Sequence, residues 1–337
     1  MTTKQKYTKS NSSRQAILFD LDDVPEQEDL THEAPSIEEL NREDELKEKA
    51  AEEAASKRQM MRFISFGSGS SGNCSFVGTE TEGVLVDAGV DTVKVFKALA
   101  DNGIRPETVK GVVITHDHGD HVRYAYNIAR KYKHIRVYCT PRALNGIFRR
   151  HNVSRRLKEV HEPIFKEIPF KLAGMTFTAF EVSHDGSDNS GFFIEYGDQH
   201  FVVATDLGCI TDRAFHYMTQ ADYLMIEANY DADMLTNGRY PEYLKNRIRA
   251  ANGHLDNKVT AAFVADNYTE RLKNVFLCHL SHDNNTPEIA VSEVRKALEA
   301  KGVTVGEGRG TMDDLNKAVQ LVALPRFDSS ALFMLKK

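Results

Sequence analysis

Residues 115–121 read Thr115-His-Asp-His-Gly-Asp-His121. Imidazole nitrogen and carboxylate oxygen are donors suited to Zn²⁺, Mn²⁺ or Fe, and this stretch concentrates them. With 13 His in 337 residues, an H-x-H-x-D-H arrangement arises by chance on the order of once in a thousand such chains. Metal chemistry is therefore the first reading. His116 and His118, at alternate positions, can grip one cation while Asp120 and His121 turn toward a second. Four ligands cannot complete two ions. The best further candidates are His184, Asp206 and His279, because each follows an apolar run and sits where loop residues line a site.

The elements around these residues alternate between strand-like and helix-like patterns from Met61 onward. Strands are expected near 63–66, 74–77, 84–87, 112–115 and 135–139, then 170–172, 175–182, 191–196, 201–205, 222–227, 274–278 and 319–324. Helices are expected near 92–102, 141–150, 211–218, 241–250, 257–267 and 287–300, with a helical stretch up to Tyr132. Hairpins interspersed with helices make a layered α/β domain with mixed sheets. Residues 306–314 read as a Gly-rich loop. Gly67-Ser-Gly-Ser-Ser-Gly72 matches a dinucleotide-binding fingerprint literally, but a hairpin-like segment follows where a helix is required. The glycines are read instead as a tight turn close to the site.

The net charge of −6 is unevenly placed. Residues 20–60 carry 15 acidic and five basic groups, whereas the body from Met61 is balanced. Residues 1–60 are read as an acidic, largely disordered leader with a helix over 37–58, and residues 61–337 as a single folded domain. Ala16-Ile-Leu-Phe19 is the best candidate for docking a protein partner. No run has the length of a membrane span or of a signal segment, and the four cysteines show no C-x-x-C pair, so a cytoplasmic protein with no membrane partner is expected.

The H-x-H-x-D-H segment, His184, the Thr205-Asp206 pair and His279 resemble the metallo-β-lactamase fold superfamily. Ser65-Phe-Gly-Ser-Gly-Ser-Ser-Gly-Asn73, Phe180-Glu-Val-Ser-His-Asp185, Ile226-Glu-Ala-Asn-Tyr230, Gly253-His-Leu255 and Cys278-His-Leu-Ser-His-Asp-Asn-Asn285 are similar to its YycJ (also VicX or WalJ) branch, which is related to ribonuclease Z. The resemblance implies an αββα sandwich of two mixed β-sheets flanked by helices. It implies two divalent ions, Zn or Mn: one held by His116, His118 and His184, the other by Asp120, His121 and His279, with Asp206 bridging. Many true β-lactamases have Cys at the position of Asp206, which argues against a lactam substrate. Asp87 resembles a buttressing aspartate that orients the ligand loop. His254 resembles the general acid of ribonuclease Z-like members and Glu227 the carboxylate that orients it. Ser70, Ser71, Asn73 and Ser281 are candidate substrate contacts.

Two cations ~3.5–4 Å apart suit displacement at phosphorus. The YycJ resemblance implies exonuclease action on DNA, with nucleic acid as the substrate. The densest basic runs are 149–158 and Arg239, Lys245, Arg247 and Arg249, although the balanced charge of the body is unlike a tight nucleic-acid binder. Two alternatives use the same ligands or fold: a hydrolase of thioesters or small phosphodiesters (or an iron-dependent dioxygenase), and a non-catalytic binding protein. His32, His134, His151, His161, His200 and His216 are assigned no chemistry.

Overall fold

The computed structural model describes residues 59–336 together with Arg42. The expected leader helix lies outside the described residues, apart from Arg42, which is helical. Strands β1 (Met61–Gly67), β2 (Cys74–Gly78), β3 (Gly83–Val86), β4 (Val109–Val113), β5 (Arg136–Cys139) and β6 (His161–Pro163) form one sheet, with β15 (Phe333–Leu335) paired to β1 at its edge. The second sheet contains β7 (Phe170–Leu172), β8 (Met175–Glu181), β9 (Ser190–Tyr196), β10 (Gln199–Ala204), β11 (Tyr223–Glu227), β12 (Asn274–Cys278), β13 (Val305–Gly306) and β14 (Val319–Ala323). Both are mixed: β3 runs parallel to β4, and β10, β11 and β12 run parallel to one another, while the hairpins are antiparallel.

The central strands are apolar on both faces because each face meets a different core. On β11, Tyr223 and Met225 point between the sheets while Leu224 and Ile226 meet the outer helices. On β12, Phe276 and Cys278 point inward and Val275 and Leu277 outward. This period of two sorts alternate residues into separate layers. The inter-sheet layer contains Phe63, whose ring lies 5.0 Å from that of Phe201 and 4.6 Å from that of Phe276. Helices Thr92–Asp101, Ala125–Lys131 and Pro141–Arg150 cover the first sheet, burying Val95, Phe96, Ile128 and Ile147. Helices Asp212–Met218, Asn257–Asp266 and Pro287–Ala300 cover the second through Ala214, Val264 and Val294. The result is the αββα sandwich that the resemblance implied.

Parallel pairing aligns strand ends, so the carboxyl ends of β3 and β4 lie together, as do those of β10, β11 and β12. These ends carry the site. The glycine-rich segment after β1 turns into β2 as an antiparallel hairpin with no helix, which disposes of the dinucleotide fingerprint. Its backbone is closely packed: a Cβ on Gly72 would lie 2.6 Å from the Gly89 carbonyl oxygen, and one on Gly89 would lie 1.5 Å from that of Asp120.

Some elements differ from expectation. β4 ends at Val113 rather than Thr115, because the Thr115 amide leaves the ladder and donates to Asp87 Oδ1 at 2.9 Å. The expected loop 306–314 begins at the end of β13 and contains the first residues of helix Met312–Leu315, where Asp314 accepts from the amides of Glu307 and Arg309. Strands β6 and β15 and helix Ala232–Asn237 carry no periodic signal of their own. All four cysteines are free thiols. Among the described residues, no helix is long and apolar enough to cross a membrane. Phe63→Ala is expected to cost about 3–5 kcal/mol in urea unfolding through loss of the ring and the cavity it leaves; a cost below about 1 kcal/mol would contradict its place at the centre of the inter-sheet layer.

Candidate metal centre

Each strand end delivers its residue by a sharp change of backbone. Asp87 after β3, Asp206 beyond β10 and His279 after β12 have φ of 62°, 55° and 53°. This left-handed region is unfavourable for residues with a Cβ and costs on the order of 1–3 kcal/mol each. The turns aim all three side chains into the cleft instead of along the sheet. The H-x-H-x-D-H segment leaves β4 and enters the short helix Gly119–Val122, whose first turn holds Asp120 and His121.

The expected ligands come together. Donor atoms of His116, His118 and His184 lie within 4.8 Å of one another, as do those of Asp120, His121 and His279. Asp206 stands between the two sets: its Oδ2 is 3.3 Å from His121 Nε2, and its Oδ1 is 3.6 Å from His184 Nε2 and 3.5 Å from His279 Nδ1.

Most of the imidazoles have one nitrogen held from behind. His121 Nδ1 meets Asp87 Oδ2 at 2.8 Å, and Asp87 is further held by Thr115. His116 Nδ1 meets Thr115 Oγ1 at 3.0 Å, and His184 Nδ1 meets the Gly253 carbonyl at 3.0 Å. Glu227 Oε1 holds both His279 Nδ1 at 2.9 Å and His254 Nδ1 at 2.7 Å, while its Oε2 accepts from the amides of Leu207 and Leu255. This pattern orients the second nitrogen of each ring into the cleft.

Charge is divided across the cleft. Burial, reinforced by neighbouring imidazoles, keeps His116 well below the usual range and lowers His118 to about 4. At the other pole burial opposes charge on His121, but Asp206, Asp87 and Asp120 outweigh it and raise it to about 9. Burial is likewise overcome at His279, chiefly by Asp206. The carboxylates respond in kind: against burial, His121 lowers Asp120 to about 2, and His279 and His121 hold Asp206 well below its usual range. The carboxylates thus draw positive charge into the cleft. Nε2 of His116 and of His279 are both buried without a hydrogen-bond partner. Unpartnered imidazole nitrogens beside ionised carboxylates form a donor set that fits divalent cations.

Of the candidate substrate contacts, Ser70 and Ser71 are exposed and Ser281 is half-buried. Asn73 is buried, and its Nδ2 lies 3.2 Å from Asp120 Oδ2 and 2.9 Å from His121 Nε2. It braces the cleft from within. Several contributors were given no role in the sequence reading, although they stand in segments that carry the resemblance. Thr205 Oγ1 donates to Asp206 Oδ2, Ser68 Oγ accepts from the His279 amide, and Asn229 Nδ2 donates to the His279 carbonyl. Asp185 Oδ1 lies 3.3 Å from His118 Nε2. His151, assigned no chemistry, bonds the Asp117 carbonyl inside the motif through Nε2 at 2.7 Å. Its position directly after a basic helix end concealed that contact.

The basic runs are largely engaged within the protein. Arg150 pairs with the buried Asp117, Arg156 with Glu159, Lys245 with Glu242 and Arg247 with Asp185, while Arg155 and Lys158 lie over the Phe148 ring. Asp87→Asn is expected to weaken metal affinity about 10–100-fold, because the His121 ring loses the carboxylate that sets its orientation. Equilibrium dialysis against buffered Zn²⁺ measures this, and an unchanged affinity would contradict the role given to Asp87.

The family model of the beta-lactamase superfamily domain matches residues 83–279. Exodeoxyribonuclease YycJ of Bacillus anthracis is 32% identical over 248 residues, spanning 73% of this chain and 92% of that protein. Exodeoxyribonuclease WalJ of Streptococcus pneumoniae serotype 2 (strain D39 / NCTC 7466) is 33% identical over 243 residues, spanning 71% and 88%. The crystal structure of the metallo-β-lactamase fold protein YhfI from Bacillus subtilis superposes with a TM-score of 0.57 at 14% identity, covering 82% of this chain and all of that one, a likeness of fold. With its fold, donor cluster and matched residues in agreement, this chain belongs to the metallo-β-lactamase fold superfamily of metal-dependent hydrolases.

Proposed function

We propose that the protein is a dinuclear metal-dependent exodeoxyribonuclease. The observation that carries this reading is the Glu227–His254 pair built into the wall of the donor cluster, where His254 Nδ1 lies 2.7 Å from Glu227 Oε1 and 4.0 Å from Asp206 Oδ1. Similarity to two named exodeoxyribonucleases over most of their length supports DNA as the substrate. Under this reading His116, His118 and His184 would hold one ion and Asp120, His121 and His279 the other, with Asp206 placed to serve either. Zn²⁺ or Mn²⁺ bound there supplies Lewis-acid stabilisation of phosphoryl charge and a water-derived nucleophile at neutral pH.

The chain's own residues supply the rest. Glu227 occupies Nδ1 of His254, so the proton available to a departing oxygen is at Nε2. The same carboxylate oxygen holds His279 Nδ1, so acid and ligand are aligned by one rigid group. Glu227 is itself fully buried, with its second oxygen fixed by two backbone amides. A sugar alkoxide is a poor leaving group and needs that proton, whereas p-nitrophenolate departs without one.

In an assay with end-labelled single- and double-stranded DNA and RNA, DNA is expected to be shortened from an end in Mn²⁺ or Zn²⁺. Asp120→Ala or complete chelation should abolish the reaction, and undiminished activity in either case would contradict the mechanism. His254→Ala is expected to lower kcat on DNA by about 10²–10⁴ and to cost much less with bis(p-nitrophenyl) phosphate. An equal loss on both substrates would remove His254 from the general-acid role.

A further inference from the structure

A pocket of about 210 Å³ lies against the hairpin turn that follows β1, lined by Ser71, Gly72, Gly89, Lys94, Arg123 and Arg326. It adjoins the metal centre through the chain itself. Arg123 lies two residues beyond His121, and Arg326 donates from Nε and Nη2 to the carbonyls of Leu280 and Ser281, the two residues after His279. These cations are anchored by main-chain oxygens: Arg123 Nη1 reaches the Ser71 carbonyl at 3.4 Å, and Lys94 Nζ bonds that of Phe327. Among the described residues none of the three forms an ion pair with a carboxylate. The lining carboxylate, Asp91, is committed to capping helix Thr92–Asp101 through the amides of Val93 and Lys94. Three positive groups therefore converge on one pocket with donors to spare, an arrangement that suits a phosphate.

At the rim stands Phe327, 51% exposed, with the Arg326 guanidinium 5.9 Å from its ring centre. An exposed aromatic ring beside a cationic pocket is the pairing that single strands use, with phosphate in the groove and base on the ring.

We infer that Lys94, Arg123 and Arg326 with Phe327 form a nucleotide subsite, which holds a phosphate of the DNA strand other than the one cleaved and stacks its base. The inference rests on the exodeoxyribonuclease reading and adds where the strand is gripped. A phosphate at the strand end and one within the strand share this chemistry, and the two are separable by comparing 5′-phosphorylated with 5′-hydroxyl oligonucleotides.

The test uses the full chain and the double variant Lys94→Ala/Arg123→Ala, both side chains being exposed. For a single-stranded oligonucleotide the variant is expected to raise Kd and KM about tenfold or more, with the salt dependence of log Kd shallower by about 1 per cation removed. Hydrolysis of bis(p-nitrophenyl) phosphate, too small to span both places, should be unchanged. Phe327→Ala should weaken binding about fivefold or more without altering the salt slope. A loss confined to 5′-phosphorylated strands places the terminal phosphate in the pocket, and an equal loss for both ends places an internal one there. Wild-type affinity and salt slope in the double variant would overturn the subsite while leaving the nuclease reading intact. A wild-type protein that neither binds nor cleaves DNA would overturn both.

Discussion

Three carboxylates, Asp87, Asp206 and Glu227, are buried within a few ångströms of one another's partners, and a buried carboxylate remains ionised only where positive charge or strong donors meet it. The cleft answers with imidazoles. His121 is raised to about 9 against the cost of burial, and His279 is also raised, while burial, reinforced by neighbouring rings, drives His116 and His118 the other way. This polarity gives the centre its character: neutral nitrogens on one side, anionic oxygens on the other, with Asp206 reaching both. A divalent cation suits such a cleft, because it accepts neutral nitrogens and anionic oxygens together.

Holding that polarity in place falls to the sheets. Asp87, Asp206 and His279 adopt left-handed backbone conformations at the ends of buried strands, each unfavourable by on the order of 1–3 kcal/mol. The three apolar layers around those strands offset the cost, since the strands cannot relax without opening the packing between the sheets or beneath the helices. The approach of Gly89 to the Asp120 carbonyl, where a Cβ would lie 1.5 Å away, pins helix Gly119–Val122 against the hairpin turn in the same way. Rigidity at the strand ends allows a single carboxylate, Glu227, to hold the His254 and His279 rings together.

Much of this was legible in the sequence. The seven candidate ligands stood out because all are histidines or aspartates, four gathered in one seven-residue motif and three following apolar strand runs, and the motif itself is too rare to be accidental. Alternating apolar strands announced the layered sheets. The braces were not legible. Ser68, Asn229 and Thr205 reach their partners with a hydroxyl or amide of ordinary type, and Ser68 is 211 residues from the His279 amide that it accepts from. Nothing in the spacing of such residues marks them. The basic runs misled for the complementary reason: Arg150 and Arg247 are conspicuous in the sequence but are neutralised by Asp117 and Asp185, which only folding brings beside them. Isolated Lys94, Arg123 and Arg326, unremarkable in the chain, line one pocket, and among the described residues none of them forms an ion pair with a carboxylate. Strands of two or three residues, as at β6, β13 and β15, are too short for periodicity to register and depend on the neighbour that they pair with.

The central claim is that two ions share this cleft through Asp206. It is tested most directly by anomalous diffraction from crystals grown in Zn²⁺ or Mn²⁺. The account predicts two anomalous peaks, one among His116, His118 and His184 and the other among Asp120, His121 and His279, both in contact with the Asp206 carboxylate. A single peak, or peaks that leave Asp206 uncoordinated in a protein that is fully active, would contradict it.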